Sequence, residues 1–565
     1  MKNAMVRTLV LSALVTGVAG PLAAHAAEDD LQKKIDQLVK EVQELKNQTK
    51  KIEDKSLSKW LSIGGEYRFR VDSLHGQTAG YTNAPAFMGA LQQDANTKGF
   101  FATAAARTLL SSTQFGAVQG LTPAAMMGNL VNYLTAPGGA FAGNPAGAAA
   151  YLNGLAGGAF VPAFKPKNET LYTNKFGLEL KAKATQDVTV NVKLDMYKTF
   201  GSENDAQVTG NYFTDRVGVF DGTLSHVPSS SLLNVDRAYA TWSNIADQPI
   251  WFSVGRRPST NGAPTNLKLN KERPGNGGTP ALLVDYAFDG MTLGYAPDID
   301  ALPGAYAKVC YGRGFDSGIK TPNNSIKDTD MLGVAVIPYE TDPLRIWLQW
   351  NRGFNIFDFP AMSNTAAFGT TAPSVNLGDM DWYGAGVMST LKKVGPGNLN
   401  MFADFGVSVS HPSNSVSANA GFQGLLTGGF LAPEAPTSKT GWGVYAGVRY
   451  DLPSKTKIGF EFNHGSKDWI PFSPAADDMW TSKVGVRGNV YEPYVIQELN
   501  LKPISSYFAK AFFKIGYQYY DFEYTGSNNW VGAPQKISSI QPTDMMLLTP
   551  VKEAHDIYGT FEVQF

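Results

Sequence analysis

The sequence predicts an all-β fold, a transmembrane antiparallel β-barrel of about sixteen strands preceded by a short N-terminal coiled-coil helix. Three observations predict it: a secretion signal at the N-terminus, a long series of segments in which apolar and polar residues alternate, and connections that alternate between short and long. In addition, only 17% of the residues are charged. A soluble domain usually carries about a quarter, whereas an outer surface covered by lipid needs less.

Residues 1–26 have the pattern of a secretory signal peptide. Lys2 and Arg7 precede an apolar run at residues 9–18, and residues 24–26 (AHA) provide small side chains at a cleavage site. This run is too short to cross a membrane as a helix, and no later apolar run approaches the necessary length. The sequence therefore predicts export, with a mature chain that begins near Ala27.

Composition and motifs give no indication of an enzyme, a cofactor or a metal site. The single cysteine, Cys310, excludes an internal disulfide framework and a C-x-x-C-H haem attachment. A net charge of −1 does not suggest a nucleic-acid partner. The pair Asp477-Asp478 is interpreted as solvated loop charge or a weak cation site. No catalytic spacing includes the mature histidines, which are His75, His226, His411, His464 and His555.

Residues 27–57 predict a periplasmic coiled-coil stalk of about three heptads. The apolar seam steps by four and three residues through Leu31, Ile35, Leu38, Val42, Leu45, Thr49 and Ile52. Because so short a seam is marginal alone, it would oligomerise together with another domain. Ile and Val at one seam position and Leu at the other favour a parallel dimer, which a three-fold barrel contact could override. The alternative is a single amphipathic helix on the barrel rim.

Residues 58–565 carry the barrel pattern. In WLSIGGEYRFRVD, which begins at Trp60, apolar residues occupy one face, and the other face holds two arginines and two acids. Such a face is costly to bury in a dry core and suits a water-filled lumen. The predicted strands are 60–72, 170–184, 188–199, 232–243, 250–257, 282–295, 304–312, 329–339, 343–352, 380–392, 398–410, 440–451, 456–465, 482–498, 507–523 and 555–565.

Three of these segments depart from simple alternation. VDRAYATW, beginning at Val235, admits either facing, and MLGVAVIPY, beginning at Met331, has no polar face. Glu492 disturbs VRGNVYEPYVI.

The chain ends in GTFEVQF, where Phe561, Val563 and Phe565 alternate with polar residues. A terminal strand of this kind would close the sheet against the first strand, since an open edge is not tolerated in hydrocarbon.

Several stretches together resemble a known family: GGEYRFRVDSL at Gly64, VGRRPSTNGAP at Val254, VRGNVYEPYVI at Val486 and KIGYQYYDFEYTGSNNW at Lys514. They resemble an outer-membrane porin-like family, long labelled as a domain of unknown function, of anaerobic and often metal-reducing bacteria. The resemblance implies a porin-type channel, associated in some members with outer-membrane cytochromes. The final Phe565 also resembles the assembly signal that the barrel-insertion machinery reads in bacterial outer-membrane proteins.

The predicted lumen is rich in basic residues. A basic third loop at residues 256–280 is expected to fold inward as a constriction, by analogy with general porins. The predicted pore-lining or constriction residues are Arg68, Arg70, Arg256, Arg257, Lys268, Lys271, Arg273, Arg345, Arg449, Arg487, Lys510 and Lys514. Basic rings favour anions, so we expect a mild anion preference. The alternative is that these residues form ion pairs that brace the wall.

The first long loop, residues 73–167, is rich in Ala and Gly and contains helical stretches. So long and apolar a segment does not remain free in water. It is expected to cap the mouth, to enter the lumen as a plug, or to pack at a subunit contact, and the sequence does not choose among these.

The leading functional prediction is a non-enzymatic outer-membrane porin for passive diffusion of small hydrophilic solutes. The alternatives are a barrel scaffold or sheath for an outer-membrane cytochrome conduit, and a structural tether. The expected surroundings are outer-membrane lipid and lipopolysaccharide. The expected partners are further copies of the chain (a trimer favoured, a dimer possible), the insertion machinery and, through the resemblance, outer-membrane cytochromes. No nucleic-acid partner is expected.

Overall fold

The computed structural model describes residues 37–44, 60–199, 231–258, 262–271, 282–284, 286–322, 325–365, 369–473, 478–500 and 510–565. The chain divides into two compact units, residues 1–62 and residues 63–565. In the first unit, residues 37–44 are helical and exposed. The predicted signal peptide and the remainder of the predicted stalk lie outside the described residues.

Sixteen antiparallel strands form one closed barrel, which confirms the predicted fold class. We number them in chain order: β1 Leu61–Thr78, β2 Lys167–Lys183, β3 Val188–Thr199, β4 Asn234–Trp242, β5 Ile250–Pro258, β6 Ala287–Tyr295, β7 Tyr306–Phe315, β8 Thr329–Glu340, β9 Arg345–Phe357, β10 Asn376–Val394, β11 Gly397–Pro412, β12 Thr440–Asp451, β13 Thr456–Gly465, β14 Gly488–Glu498, β15 Lys510–Phe522 and β16 Val551–Gln564. Each strand pairs with its neighbours in sequence, and β1 pairs with β16.

The terminal strand closes the barrel as its alternation predicts. Phe69 on β1 lies opposite Phe561 on β16, and the register continues to Glu66 and Gln564. One residue further, Phe565 and Gly65 exchange two backbone hydrogen bonds of 2.7 and 3.0 Å. Closure leaves no unpaired edge between the first and last strands, which is the condition for a sheet surrounded by lipid.

The two ends of the barrel differ in their connections. At one end, here named the short-turn end, the strands are joined by residues 184–187, 243–249, 296–305, 341–344, 395–396, 452–455 and 499–509. At the other end, here named the long-loop end, the connections are residues 79–166, 200–233, 259–286, 316–328, 358–375, 413–439, 466–487 and 523–550. The barrel begins and ends at the short-turn end. This asymmetry is typical of outer-membrane barrels.

Burial alternates along the strands. On β15, Phe513 and Ile515 are 48% and 67% exposed, whereas Lys514 and Gln518 are buried. Apolar side chains elsewhere are exposed on the same outer face, among them Val254, Leu293, Val309, Leu348, Phe405, Val448, Phe460, Val495 and Ile557. These side chains form an apolar band on the outer surface, whereas charged inner-face side chains such as Lys514 point into the barrel.

Two segments with irregular sequence patterns have structural explanations. The pairing of β3 with β4 shifts between Lys193 and Leu194, so that adjacent residues Asp236 and Arg237 are both buried. This bulge explains why VDRAYATW fits either facing. The inward residues Met331, Ala335 and Ile337 of β8 belong to the largest apolar cluster among the described residues. That strand has no polar face because its lumen side is covered by apolar side chains rather than water.

The first long loop forms helices at the long-loop end. Its helices are α1 Ala84–Gln93, α2 Lys98–Phe101, α3 Ala104–Leu110, α4 Phe115–Val118, α5 Pro123–Thr135 and α6 Pro145–Gly158. Side-chain oxygens cap four of them, from Asn83, Thr103, Thr122 and Asn144. Since β1 extends to Thr78 and β2 begins at Lys167, the loop comprises residues 79–166 rather than 73–167.

These helices pack on another long loop. Leu91, Leu130 and Leu152 are fully buried in one cluster with Phe422 and Leu431 of the loop between β11 and β12. The backbone N–H of Phe115 also donates to the carbonyl of Asn414 at 2.8 Å. None of the helices in the described part of the chain is long and apolar enough to cross a membrane.

The remaining small elements belong mainly to the long loops. Short strands Tyr81–Asn83, Phe160–Val161 and Met545–Met546 form one small sheet, and Met362–Thr365 pairs with Gly369–Thr371. Single 3-10 turns occur at Ile245–Asp247, Lys483–Gly485 and Ile537–Ser539.

Candidate functional site in the barrel lumen

Residues 262–271, which follow β5, cross the lumen and contact the opposite wall. We name this stretch the crossing segment. The β5 strand lies seven positions from β14 in the ring. The crossing segment nevertheless accepts hydrogen bonds from that wall: from the Arg449 guanidinium at the carbonyl of Leu267, and from the Lys510 ammonium at the carbonyl of Asn270, at 3.0 Å. It therefore divides the interior, as an inward third loop would.

Ion pairs hold the crossing segment in place. The ammonium of Lys268 lies 2.7 Å from a carboxylate oxygen of Glu492 on β14. The Lys271 ammonium lies 3.5 Å from a carboxylate oxygen of Glu66 on β1. The Asn270 amide donates to Glu498 at 3.0 Å. Contacts to strands on both sides of the β1–β16 seam fix the segment across the barrel.

Glu492 is the centre of a buried polar network. Its side chain is fully buried, yet it accepts from Lys268, from Lys483 and from the hydroxyl of Tyr558 at 2.8 Å. Lys483, on the loop between β13 and β14, also contacts Glu461. Burial alone would lower the pKa of Lys483, but the carboxylates of Glu461 and Glu492 raise it well above its ordinary value. Lys483 therefore remains charged and joins its loop to the wall.

A second buried cluster adjoins this network. The guanidinium of Arg70 lies 2.6 Å from Asp72 and 2.9 Å from Asp556, and its centre is 4.2 Å from the ring centroid of Tyr558. All four residues are at most 1% exposed. Arg70 is thus neutralised and packed within the wall at the β1–β16 seam, which is what the bracing alternative expects.

The lumen near the long-loop end is filled by apolar side chains of the loops. Trp469 and Phe472 from the β13–β14 loop and Trp530 from the β15–β16 loop pack with Trp382 of β10. The indole N–H groups are satisfied: Trp382 donates to the carbonyl of Ile470 at 2.7 Å. Loop and wall therefore form one continuous core in this part of the barrel, and open space is concentrated elsewhere.

In the described part of the chain, two cavities border the crossing segment. The larger has a volume of about 690 Å³ and is lined by strands β2 to β5 and β7 to β10, with Asn266 of the crossing segment at its margin. The smaller, of about 330 Å³, is lined by Asn270, Lys271 and the C-terminal residues Gln564 and Phe565. The lining of the larger cavity includes turn residues of the short-turn end, among them Thr341.

The larger cavity has an excess of positive charge. Its lining includes Lys181, Arg257, Lys308 and Arg345, against Glu340 and Asp342. Arg345 lies 3.5 Å from Glu340 and donates to the hydroxyl of Tyr306 at 3.3 Å. Asp342 pairs with Lys392 at 2.7 Å. Both acids are therefore engaged by cations, which leaves the cavity positive.

Some of the predicted site residues line the two cavities, and others are buried in the wall or in the crossing segment. Arg257 and Arg345 line the larger cavity, and Lys271 and Lys510 line the smaller one. Buried on the inner face or in the crossing segment are Arg68, Arg70, Lys268, Arg449 and Lys514. They contact groups of the wall or of the loops, as Lys514 contacts Glu562 at 2.8 Å.

Two of the predicted third-loop positions are not confirmed as lumen residues. Arg256 is a strand residue on the face of Val254, opposite to Arg257, and pairs with Asp289 at 3.2 Å. It is therefore neither a loop residue nor directed into the lumen. The inward segment accordingly starts after Pro258 rather than at residue 256. Arg273 lies outside the described residues.

Arg487 is a structural residue and lines neither of the two cavities beside the crossing segment. It precedes β14, is 1% exposed, and donates to the carbonyls of Trp469, Thr525, Gly526 and Asn529 at 2.7 to 3.1 Å. Its guanidinium thereby joins the β13–β14 loop to the β15–β16 loop. The sequence places it in a strand because it directly precedes the alternating residues of β14.

The sequence pattern does not indicate that Glu492 and Asp478 hold the lumen together. In the sequence, Glu492 is recognisable only as an acid that interrupts the alternating pattern of VRGNVYEPYVI. From the sequence, Asp478 is expected to be a solvated loop charge or part of a weak cation site, but in the structure it is 7% exposed and accepts from the Gln518 amide at 2.7 Å. An acid on an otherwise apolar strand side was the one available signal. Within the described ranges, no group of three or more His, Cys, Asp or Glu residues is arranged to hold a metal ion.

Among solved structures, the chain is similar to OprB of Pseudomonas putida at 10% identity and a TM-score of 0.40, over 90% of this chain and 95% of that one. It is also similar to the trimeric form of OmpT of Vibrio cholerae, at 11% identity and a TM-score of 0.35, over 90% of this chain and 100% of that one. A third similar structure is the outer-membrane channel DcaP of Acinetobacter baumannii, at 10% identity and a TM-score of 0.31, over 90% of this chain and 99% of that one. No curated protein matches the sequence.

A family model matches residues 165–565, which include all of β2 to β16. The match leaves out β1 and most of the first long loop. Since it extends over well more than half of the chain, this chain belongs to the family described as protein of unknown function DUF3373.

Proposed function

We propose that this protein is an outer-membrane porin through which small hydrophilic solutes diffuse passively. The observation that carries the proposal is the division of the strand faces, apolar and exposed outside and charged inside a closed ring. An apolar band outside a closed ring suits a bilayer, and a polar interior suits water. The two cavities beside the crossing segment would belong to the solute path, and the segment itself would restrict solute size.

We also propose a mild preference for anions. Charged groups lining a constriction set ion selectivity. The larger cavity contributes four cations and two acids, and both acids already contact cations. Elsewhere several wall cations are paired with acids, as Arg70 is with Asp556 and Lys514 with Glu562, so these pairs contribute little net field. This favours a modest preference rather than strict exclusion of cations.

The test is planar-bilayer recording with the purified mature protein. We expect stepwise conductance and, under a KCl gradient, a reversal potential with the sign of chloride preference. A cation-preferring sign would contradict the selectivity, and the absence of any conductance in bilayers and of sugar uptake in liposome swelling would contradict the porin itself. The swelling assay also separates a working channel from a structural tether.

The second candidate, a sheath around an outer-membrane cytochrome, has less support. The lumen near the long-loop end is occupied by the protein's own Trp469, Phe472 and Trp530. A cytochrome would need that space, or these loops would have to leave it. Co-purification of a haem protein with the detergent-extracted barrel would reverse this order of the two candidates.

We place the protein in the bacterial outer membrane, in contact with lipid and lipopolysaccharide, with the short-turn end and the N-terminal stalk in the periplasm. We propose a homo-oligomer, with a trimer favoured over a dimer. Phe565 would act as the signal for the insertion machinery, which suits its position at the closing seam beside Gly65. Mass measurement in detergent, with and without residues 27–57, tests the oligomer and the contribution of the stalk.

A further inference from the structure

The larger cavity contains an arginine whose charge is not matched by an acid. Arg257 is 9% exposed. Among the described residues, no carboxylate lies within ion-pair distance of it, and its Nε and Nη1 atoms have no hydrogen-bond partner. A buried guanidinium in this state is costly. An anion in the adjoining cavity would supply the missing negative charge.

Aromatic side chains surround this guanidinium. Its central carbon lies 5.4 Å from the ring centroid of Tyr239 and 5.7 Å from that of Trp251. Trp251 lies against Gly294 of the next strand, where any β-carbon would overlap the indole ring. Trp251, Tyr239 and Tyr306 all line the cavity. The site thus offers apolar and aromatic surface beside positive charge.

Further cations line the same cavity. The side chain of Lys181 is exposed into it and, among the described residues, has no carboxylate within ion-pair distance. Arg345 lies beyond, on β9, and its Nε has no hydrogen-bond partner in the described part of the chain. A guanidinium matches the geometry of a carboxylate, with two parallel hydrogen bonds. The hydroxyls and amide of Thr189, Thr241 and Asn191 add polar contacts.

From this arrangement we propose that the larger cavity is a binding site for a small organic carboxylate with an apolar or aromatic body. The carboxylate would lie on Arg257, and the carbon skeleton would lie against Trp251 and its aromatic neighbours. A bare inorganic anion would use only the charge and leave the aromatic surface in water. The inference deepens the proposed function, because a site on the solute path would favour such anions, but binding itself does not require conduction.

The test is calorimetric titration of the full mature protein in detergent, so that binding is measured separately from conduction. Sodium benzoate is the probe, benzamide is its neutral counterpart of the same shape, and acetate and inorganic phosphate are charged counterparts without the ring. We expect saturable benzoate binding, at least tenfold weaker binding of acetate and phosphate, and none of benzamide.

Variants locate the site. Arg257→Gln should weaken benzoate binding at least tenfold and Lys181→Gln about threefold. Arg352→Gln, which removes the same charge from the outer face of β9 where Arg352 pairs with Asp379 and Asp381, should leave it unchanged. Lys181 is exposed, so its variant remains informative if Arg257→Gln fails to fold, as judged by heat-modifiable gel migration.

Absence of benzoate binding, equal binding of benzamide or of phosphate, or insensitivity to both cavity variants would overturn the inference. A protein that conducts but does not bind benzoate retains the proposed function and loses this site. A protein that binds benzoate but does not conduct retains the site and loses the porin.

Discussion

Glu492 should be the most sensitive single carboxylate of the lumen, and its replacement by glutamine tests the network directly. The side chain is fully buried and receives two ammonium groups, Lys268 from the crossing segment and Lys483 from the β13–β14 loop. Removing one partner of a buried ion pair costs about 3–5 kcal/mol. Because glutamine keeps one acceptor oxygen of the same shape, we place the loss at the lower end, about 3 kcal/mol.

The chain offers a matched control in Glu498→Gln. Glu498 also receives two lysines, Lys457 at 2.7 Å and Lys510 at 3.2 Å, and it also contacts the crossing segment through Asn270. Its side chain is 15% exposed, as is that of Lys457. Partial access to water weakens such pairs, so we expect a loss of about 1 kcal/mol.

The assay is equilibrium unfolding by denaturant in lipid or detergent, followed by tryptophan fluorescence, with free energies of unfolding from the linear dependence on denaturant. The two variants should differ by about 2 kcal/mol, from the two losses given above. Glu492→Gln should also give noisier single-channel currents, because Lys268 loses its principal anchor. Equal destabilisation of the two variants, or a loss below about 1 kcal/mol for Glu492→Gln, would refute the role of the buried network.

Three further outcomes are expected. Gly386→Ala should destabilise the barrel by about 1–3 kcal/mol because a β-carbon there would overlap Asp404 and Trp347. Its control is Gly559→Ala, which should be close to neutral in the same unfolding assay because no atom lies within 4 Å of the added β-carbon. Arg487→Met should lower the free energy of unfolding by about 1–3 kcal/mol, because it leaves loop carbonyls without a donor. The reversal potential of this variant should match that of the wild type. A changed reversal potential with unchanged stability would contradict the structural role of Arg487. Phe565→Ala should lower the folded fraction seen by heat-modifiable gel migration, since Phe565 packs on Gly65 at the closing seam, while a folded fraction equal to wild type would contradict that dependence.

The wall of the barrel follows from the sequence because each strand carries its own information. A period of two distinguishes the lipid face from the inner face within a few residues, as in the segment that contains Arg68 and Arg70. The number of strands and the difference between the two ends follow from the same pattern. Closure through β16 follows from the alternation up to Phe565, since an unpaired edge is not tolerated in the membrane.

The contents of the lumen do not follow from the sequence in the same way. Lys483 reaches Glu461 and Glu492, and Lys268 reaches Glu492, only because two loops fold inward from different sides. Such contacts join residues far apart in the chain and have no local period. The apolar inner side of β8 is a clear case: it looks anomalous until the apolar cluster that covers Met331 and Ile337 is seen.

The same limit applies to charge. A count of basic residues on the inner face predicts a positive lumen, but Arg70 and Lys514 are neutralised by Asp556 and Glu562. The net field depends on which cations lack an acid, and this is a property of the folded structure. Arg257 differs from Arg70 in that respect although both are inward-facing strand arginines.

The central claim is that one face of each strand meets lipid and the other faces the lumen, and adjacent residues Lys175 and Phe176 on β2 test it most directly. Lys175 lies on the inner face, with its ammonium 3.9 Å from Glu66 and 4.0 Å from Asp195, and Phe176 takes the opposite face. Each position is changed singly to cysteine in a Cys310→Ser background, labelled with an environment-sensitive fluorophore, and reconstituted into bilayers. We predict quenching by spin-labelled lipid chains at position 176 and by aqueous iodide at position 175. Lipid quenching at 175, or equal quenching of both labels by iodide, would contradict the account.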